Sequence, residues 1–222
     1  MGIQRVRRVS IIPLMNDRLY WREHWKKETI PAPNGFARRA FKRFGRQHKT
    51  LLDLGCGDGR DSLYFARKGL HVTALDFSET GIRALKANNK NIRCLVGDVR
   101  NMRFKPGSFD IVYAHLNLHY FDDRMTSRIF DTLFRTLKKK GLLFVKCKST
   151  DDALFGKGRK VAENVYCKGH TRHFFSKEYM KGLLQGFKIL SIRKTSSVYH
   201  AYRSSYIEAI ARKSNRDRKK GS

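Results

Sequence analysis

Acidic residues are scarce in this chain: 19 Asp and Glu stand against 48 Lys and Arg over 222 residues, a formal net charge of +29. That excess goes far beyond what solubility needs. It speaks to partners and not to fold, as either a solvated basic surface or affinity for a polyanion such as RNA or a ribosomal particle. The cations are denser at 38–49, 138–140, 157–160 and 212–220, and no single recognition helix stands out. Long hydrophobic runs are missing too. The longest apolar stretches are strand-length, so no membrane span is expected. Cys56, Cys94, Cys147 and Cys167 lack the spacing of a disulfide framework, which suits free thiols in a reducing compartment. Near the N-terminus, Arg5, Arg7 and Arg8 precede a short apolar piece that Pro13 breaks, and no small-residue cleavage site follows. Val6 stands where a myristoylation signal wants Ser or Thr. Cytoplasm is the expected location, and a monomer the expected state.

What is present is a foldable core. Hydrophobic residues make up 41% and aromatics 12%, enough for one sizeable domain and against disorder. Thr50–Leu54, His71–Leu75, Asn91–Val96, Asp110–Ala114 and Gly141–Cys147 are continuous apolar runs of the kind buried on both faces of a parallel sheet. Helical patterns lie between them, including Ile129, Phe130, Leu133, Phe134 and Leu137 on one face. The alternation predicts a doubly wound α/β sheet. The expected organisation is a basic arm at 1–17, one domain at 18–212 and a basic tail at 213–222. Within the domain, 18–46 is predicted as N-terminal helices. The polar, glycine-containing 149–175 is predicted as a lid or substrate loop, and Phe187–Arg193 and Tyr206–Ala211 as two final strands.

The densest signal is Thr50-Leu-Leu-Asp53-Leu-Gly55-Cys56-Gly57-Asp58-Gly59 followed by a helical pattern. Glycine lets the backbone of such a turn approach a nucleotide-like ligand. The dinucleotide fingerprint is excluded because its third glycine would fall at Arg60, and no Gly-Lys-Ser/Thr follows for a phosphate loop. An acid before the turn disfavours phosphate and favours a ligand carrying an ammonium. Asp53-x-Gly55-x-Gly57-x-Gly59 resembles motif I of the class I S-adenosylmethionine-dependent methyltransferases. Val72–Ser78 with Asp76, Cys94–Val99, Ser108–Tyr120 and Leu137–Cys147 are similar to that family's later segments, in its order, so the resemblance spans roughly residues 48–148. It implies a Rossmann-like, seven-stranded, mostly parallel sheet with an antiparallel last strand, and S-adenosyl-L-methionine as cofactor.

The resemblance also implies roles. Asp53 would organise the turn and favour the methionine ammonium, Gly55, Cys56 and Gly57 would line it, and Asp76 with Phe77 would hold the ribose. Asp98 and Val99 would meet adenine. His115 and His119 follow the fourth strand, where the acceptor approaches, and are the candidate general bases, with His115 also beside the cofactor. Tyr20, Trp21 and Trp25 would roof the cofactor or stack on an acceptor, and His170 and His173 would stand near the acceptor mouth. Cys167-x-x-His170-x-x-His173 has ligand types that suit zinc, but the site expectation includes no metal. The fourth strand ends in Ala-His-Leu-Asn, without the Asn/Asp-Pro-Pro-aromatic or Pro-Cys wording of base-modifying relatives. The resulting expectation is methyl transfer to a small molecule, of the generic or tellurite-resistance-like type. RNA or a ribosome is the alternative acceptor, and a non-catalytic cofactor- or RNA-binding protein is the second alternative.

Overall fold

The five apolar runs do lie side by side in one sheet. The structure, a computed structural model, describes residues 20–21, 23–25, 31–199 and 202–215. The arm expected at 1–17 and most of the expected tail lie outside these. Helix α1 (Gly35–Ala40) runs into a π-helical turn at Phe41–Gly45, and β1 (Thr50–Leu54), α2 (Arg60–Arg67), β2 (His71–Asp76), α3 (Glu79–Asn88) and β3 (Arg93–Val96) follow. Then come β4 (Phe109–His115), α4 (Asp123–Thr136), β5 (Leu137–Lys148), three short strands β6 (Arg159–Ala162), β7 (Val165–Lys168) and β8 (His170–His173), α5 (Lys177–Leu183), β9 (Phe187–Tyr199) and β10 (Tyr202–Lys213). The main sheet has seven strands in the order β3-β2-β1-β4-β5-β10-β9. Strands β1 to β5 are mutually parallel, and β10 pairs antiparallel with both β5 and β9.

Alternate residues of each central strand feed two cores, which is why the runs carry no polar alternation. Leu52, Leu54, Val112, Ala114, Val145 and Cys147 pack with Ile129, Phe130 and Leu133 of α4 and Met180 and Leu183 of α5. On the other face Leu51, Ile111, Tyr113 and Phe144 meet Phe36, Ala37 and Phe41 of the α1 segment and Phe65 of α2. Side-chain caps set three helix starts: Ser78 accepts from Gly81 N, Asp122 from Met125 N and Ser176 from Tyr179 N. Among the described residues no helix is long and apolar enough to cross a membrane.

Two segments differ from their expected form. Residues 149–175 are not a loop: turns after β5 lead into an antiparallel sheet, β6-β7-β8, whose hairpins turn at Asn164 and Gly169. Short polar strands such as Arg159–Ala162 carry too weak an alternation to be read from composition. The last two strands are also longer than their apolar runs. Beyond the Tyr206–Lys148 pair they continue as a two-stranded ribbon, where exposed polar residues need no apolar pattern.

A buried acid ties the antiparallel strand to the rest. Glu208, 2% exposed in β10, accepts from the single Arg39 Nη2 at both carboxylate oxygens, each at 3.0 Å, and lies 3.1 Å from Lys146 Nζ and 3.4 Å from Arg193. Burial alone would raise its pKa, but Lys146 and Arg39 together leave it below the usual value of 4.5. The stability it contributes is therefore complete above its unfolded pKa and fades as pH falls through the folded one. Glu208→Ala leaves the half-buried Lys146 without its counter-charge, and chemical denaturation should show a loss of about 3 kcal/mol. A loss under about 1 kcal/mol would mean the cluster is solvated.

Candidate functional site

The carboxyl ends of β1, β2 and β4 meet over the glycine turn, where the strand order reverses between β1 and β4. The turn is pinned from β2: Gly55 N and Cys56 N donate to Leu75 O at 2.8 and 3.2 Å, and Gly57 N donates to Asp76 Oδ2 at 2.9 Å. Asp76 Oδ1 accepts from Ser78 N at 2.8 Å, so one carboxylate ties the turn to the start of α3. Gly57 holds φ +57°, and a Cβ there would run into the Trp25 indole, 2.6 Å away. A Cβ on Gly55 would overlap the Asn117 carboxamide, which donates to Leu54 O.

Four buried carboxylates crowd this turn: Asp53, Asp58, Asp61 and Asp76. Asp53 Oδ2 accepts from Ser62 Oγ at 2.6 Å. Asp61 is fully occupied, accepting from Asn34 N, Asn34 Nδ2 and the Tyr113 hydroxyl, each at 2.7 Å. Among the described residues no Lys, Arg or His forms an ion pair with any of the four. Burial, followed by the Asp61 carboxylate and more weakly by Asp76 and Asp58, pushes Asp53 up to about 8 against the opposing Ser62 hydrogen bond. Burial raises Asp76 as well, opposed by its backbone hydrogen bonds. Such a cluster of buried carboxylates, unpaired by any described cation, fits a cationic group.

Aromatic rings roof the turn. Trp21 and Trp25 stack at 5.6 Å, with Trp25 N bonded to Trp21 O at 3.2 Å. Trp21 reaches Tyr120 at 5.9 Å, and Tyr20 packs on His170 of β8 at 4.5 Å. The roof therefore joins the N-terminal segment, the turn after β4 and the small sheet. His115 is half-buried, its ring parallel to Tyr113 at 6.0 Å and 6.5 Å from Phe36. His119 is 2% exposed, lies 4.4 Å from the Tyr120 ring and leaves Nδ1 without a partner. Burial, then Lys146 and Arg60, hold His115 well below the usual imidazole value. Burial, then Arg172 and Lys148, do the same for His119. Both rings are neutral at neutral pH.

The remaining sequence candidates scatter. Phe77 and Cys56 are half-buried beside the turn, with burial raising the Cys56 thiol. Val99 is buried, and Asp98 forms a bidentate pair with its near neighbour Arg100, closest at 2.5 Å. His173, three residues from His170 on a strand, faces the opposite way and packs on Phe175 and Tyr179 at 4.9 and 4.7 Å. For the same reason Cys167, His170 and His173 do not converge, and no metal-holding group of three occurs among the described residues. Sequence reasoning missed Asp58, Asp61, Asn117, Tyr113 and Tyr120. Only the acidic repetition Asp58-Gly-Arg-Asp61 offered a signal; the others reach the site through the packing of β4 and its following turn.

Comparisons agree with this geometry. Residues 51–141 match the family model described as a methyltransferase domain. A malonyl-[acyl-carrier protein] O-methyltransferase of Pectobacterium atrosepticum is 27% identical over 137 residues, covering 54% of this chain and 53% of the relative. The chain thus spans about half the length of that curated relative. Among solved structures, the 1,6-didemethyltoxoflavin-N1-methyltransferase of Burkholderia thailandensis superimposes with a TM-score of 0.69 at 20% identity, covering 89% of this chain and 84% of that one. TehB of Haemophilus influenzae gives 0.66 at 19% identity, with 87% and 66% covered. Residues 51–141 thus match a methyltransferase domain, and the chain has the fold of S-adenosylmethionine-dependent methyltransferases.

The charge nest carries a pH signature. The raised pKa of Asp53 means that its contribution to stability is complete below an unfolded value near 3.8 and is lost as pH rises through about 8. Without ligand, the wild type should lose stability relative to Asp53→Asn by up to about 1.4 kcal/mol per pH unit between roughly pH 5 and 7.5. The difference should level off above pH 8. Denaturant titrations across pH test this, and a constant difference would refute it.

Proposed function

We propose that this protein transfers a methyl group from S-adenosyl-L-methionine to a small-molecule acceptor. The observation that carries the reading is the ring of buried carboxylates around the glycine turn, unmatched by any described protein cation. The cofactor supplies an electrophilic methyl on a sulfonium, together with an ammonium, so it brings positive charge to this place. Asp53 holds the turn and, once ionised, favours that charge. Asp76 has committed one lone pair of each oxygen to backbone N–H groups and keeps the others for ribose hydroxyls. Asp98 and Val99 flank the adenine side.

The chain's remaining task is to align donor and acceptor and to take one proton. Neutral His115 and His119 stand beyond β4 to receive it. His119 is the better placed, because its unpartnered Nδ1 offers a lone pair that would become the N–H of an imidazolium on accepting the proton. A roof of Tyr20, Trp21, Trp25, Tyr120 and His170 suits a compact, planar acceptor, since polymer ends need an open groove. The small-molecule acceptor named for the Burkholderia structure, 1,6-didemethyltoxoflavin, supports the same reading.

Calorimetry tests it. Wild-type protein at pH 7 should release up to one proton on binding the cofactor, seen by comparing buffers of different ionisation enthalpy, whereas Asp53→Asn should release none. Asp76→Ala should weaken binding by more than about 1 kcal/mol. Cofactor binding that is unaffected by either change would overturn the assignment. With a competent acceptor, His119→Asn should keep cofactor affinity and lower kcat by about 100-fold. An unchanged kcat would remove His119 from proton transfer.

A further inference from the structure

Exposed cations line the amino ends of the parallel strands almost without acids. Each parallel strand is preceded by a cation: Lys49 before β1, Lys68 before β2, Lys90 before β3, Lys105 before β4, and Lys139 and Lys140 in the irregular opening of β5. All of these are exposed. Each of the same strands ends in or runs into acids: Asp53, Asp76, Asp98, Asp122 with Asp123, and Asp151 with Asp152. The antiparallel β10 returns to the cationic end, where Arg212 pairs in register with Lys188 of β9, both exposed. From Lys213 the sequence continues with Arg216, Asp217, Arg218, Lys219 and Lys220. Among the described residues on these amino-end segments, the single carboxylate is Asp110, already bound by Lys138 at 3.0 Å and by the backbone of Lys49 and Thr50.

We propose that this amino-end pole is a docking surface for the phosphate backbone of nucleic acid, distinct from the methyl-transfer site. Strands β1, β2 and β4, of five to seven residues, put the two ends roughly 17–23 Å apart. The glycine turn and its aromatic roof lie at the opposite ends of the same strands, so the nucleic acid is an anchor and not the acceptor. An anionic membrane is the less suitable partner, because surface-binding proteins add apolar anchors to their cations. The exposed large hydrophobics among the described residues, Tyr20, Val96 and Val198, all lie away from this pole. Cations alone, without aromatic platforms, suit backbone contact without sequence reading.

Fluorescence anisotropy with a labelled oligouridylate of about 20 nucleotides is the test. The wild type should bind with an affinity that falls at least tenfold between about 50 and 200 mM salt. The triple substitution Lys139→Glu, Lys188→Glu, Arg212→Glu should cut affinity at least tenfold and flatten the salt slope, by about 0.7 per lost phosphate contact. A matched triple on the small sheet, Lys157→Glu, Arg159→Glu, Lys168→Glu, changes net charge equally and should cost less than threefold. Retained S-adenosylhomocysteine binding shows that both variants are folded. Equal losses in the two triples, salt-independent binding, or binding to phosphatidylserine vesicles without binding to the oligonucleotide would each overturn the proposal.

Discussion

A cluster of buried carboxylates that no described Lys, Arg or His pairs with is the constraint around which this molecule is arranged. Asp53, Asp58, Asp61 and Asp76 lie under one glycine turn, and the fold tolerates them through hydrogen bonds from Ser62, Asn34, Tyr113 and the backbone of Gly57 and Ser78. Those bonds stabilise the carboxylates but do not neutralise them. Asp53, most deeply enclosed, answers by holding its proton to about pH 8. A cationic ligand resolves the same conflict from outside, so the site couples affinity, protonation and stability in one group.

The rest of the architecture serves that turn. The sheet order reverses beside it, opening the crevice in which open α/β sheets bind ligands. Above it, an aromatic roof draws Trp25 onto Gly57 and Tyr20 onto His170, linking segments more than a hundred residues apart in sequence. To one side Glu208 gathers Lys146, Arg39 and Arg193, which locks the antiparallel strand against the helix that covers Tyr113 and His115. Exposed cations gather at the opposite end of the parallel strands, away from where the cofactor is proposed to sit.

How much of this was legible depended on what kind of signal each part leaves. The β1 turn and the acids ending β1 and β2 are local patterns, an apolar run, an acid and glycines, and the structure places them together at one crevice. The central strands appeared as apolar runs because burial on both faces demands it. Strands β6 to β8 left no such trace, since their faces are polar and their pairing is set by turns at Asn164 and Gly169. The roof was half visible: the four-residue spacing of Trp21 and Trp25 announces a shared face, but their meeting with Tyr120 is a tertiary fact. His170 and His173 show the limit most plainly. Side by side in the motif, they point to opposite faces because their strand has a period of two.

The central claim is that the carboxylate nest recognises the charged amino-acid arm of the cofactor. Comparing S-adenosylhomocysteine with 5′-methylthioadenosine, which keeps the nucleoside and lacks that arm, measures this directly. Titration calorimetry should find the first bound more tightly by at least about 2 kcal/mol, the scale of a charge-assisted hydrogen bond. Equal affinities would contradict the account, because recognition would then rest on the nucleoside alone.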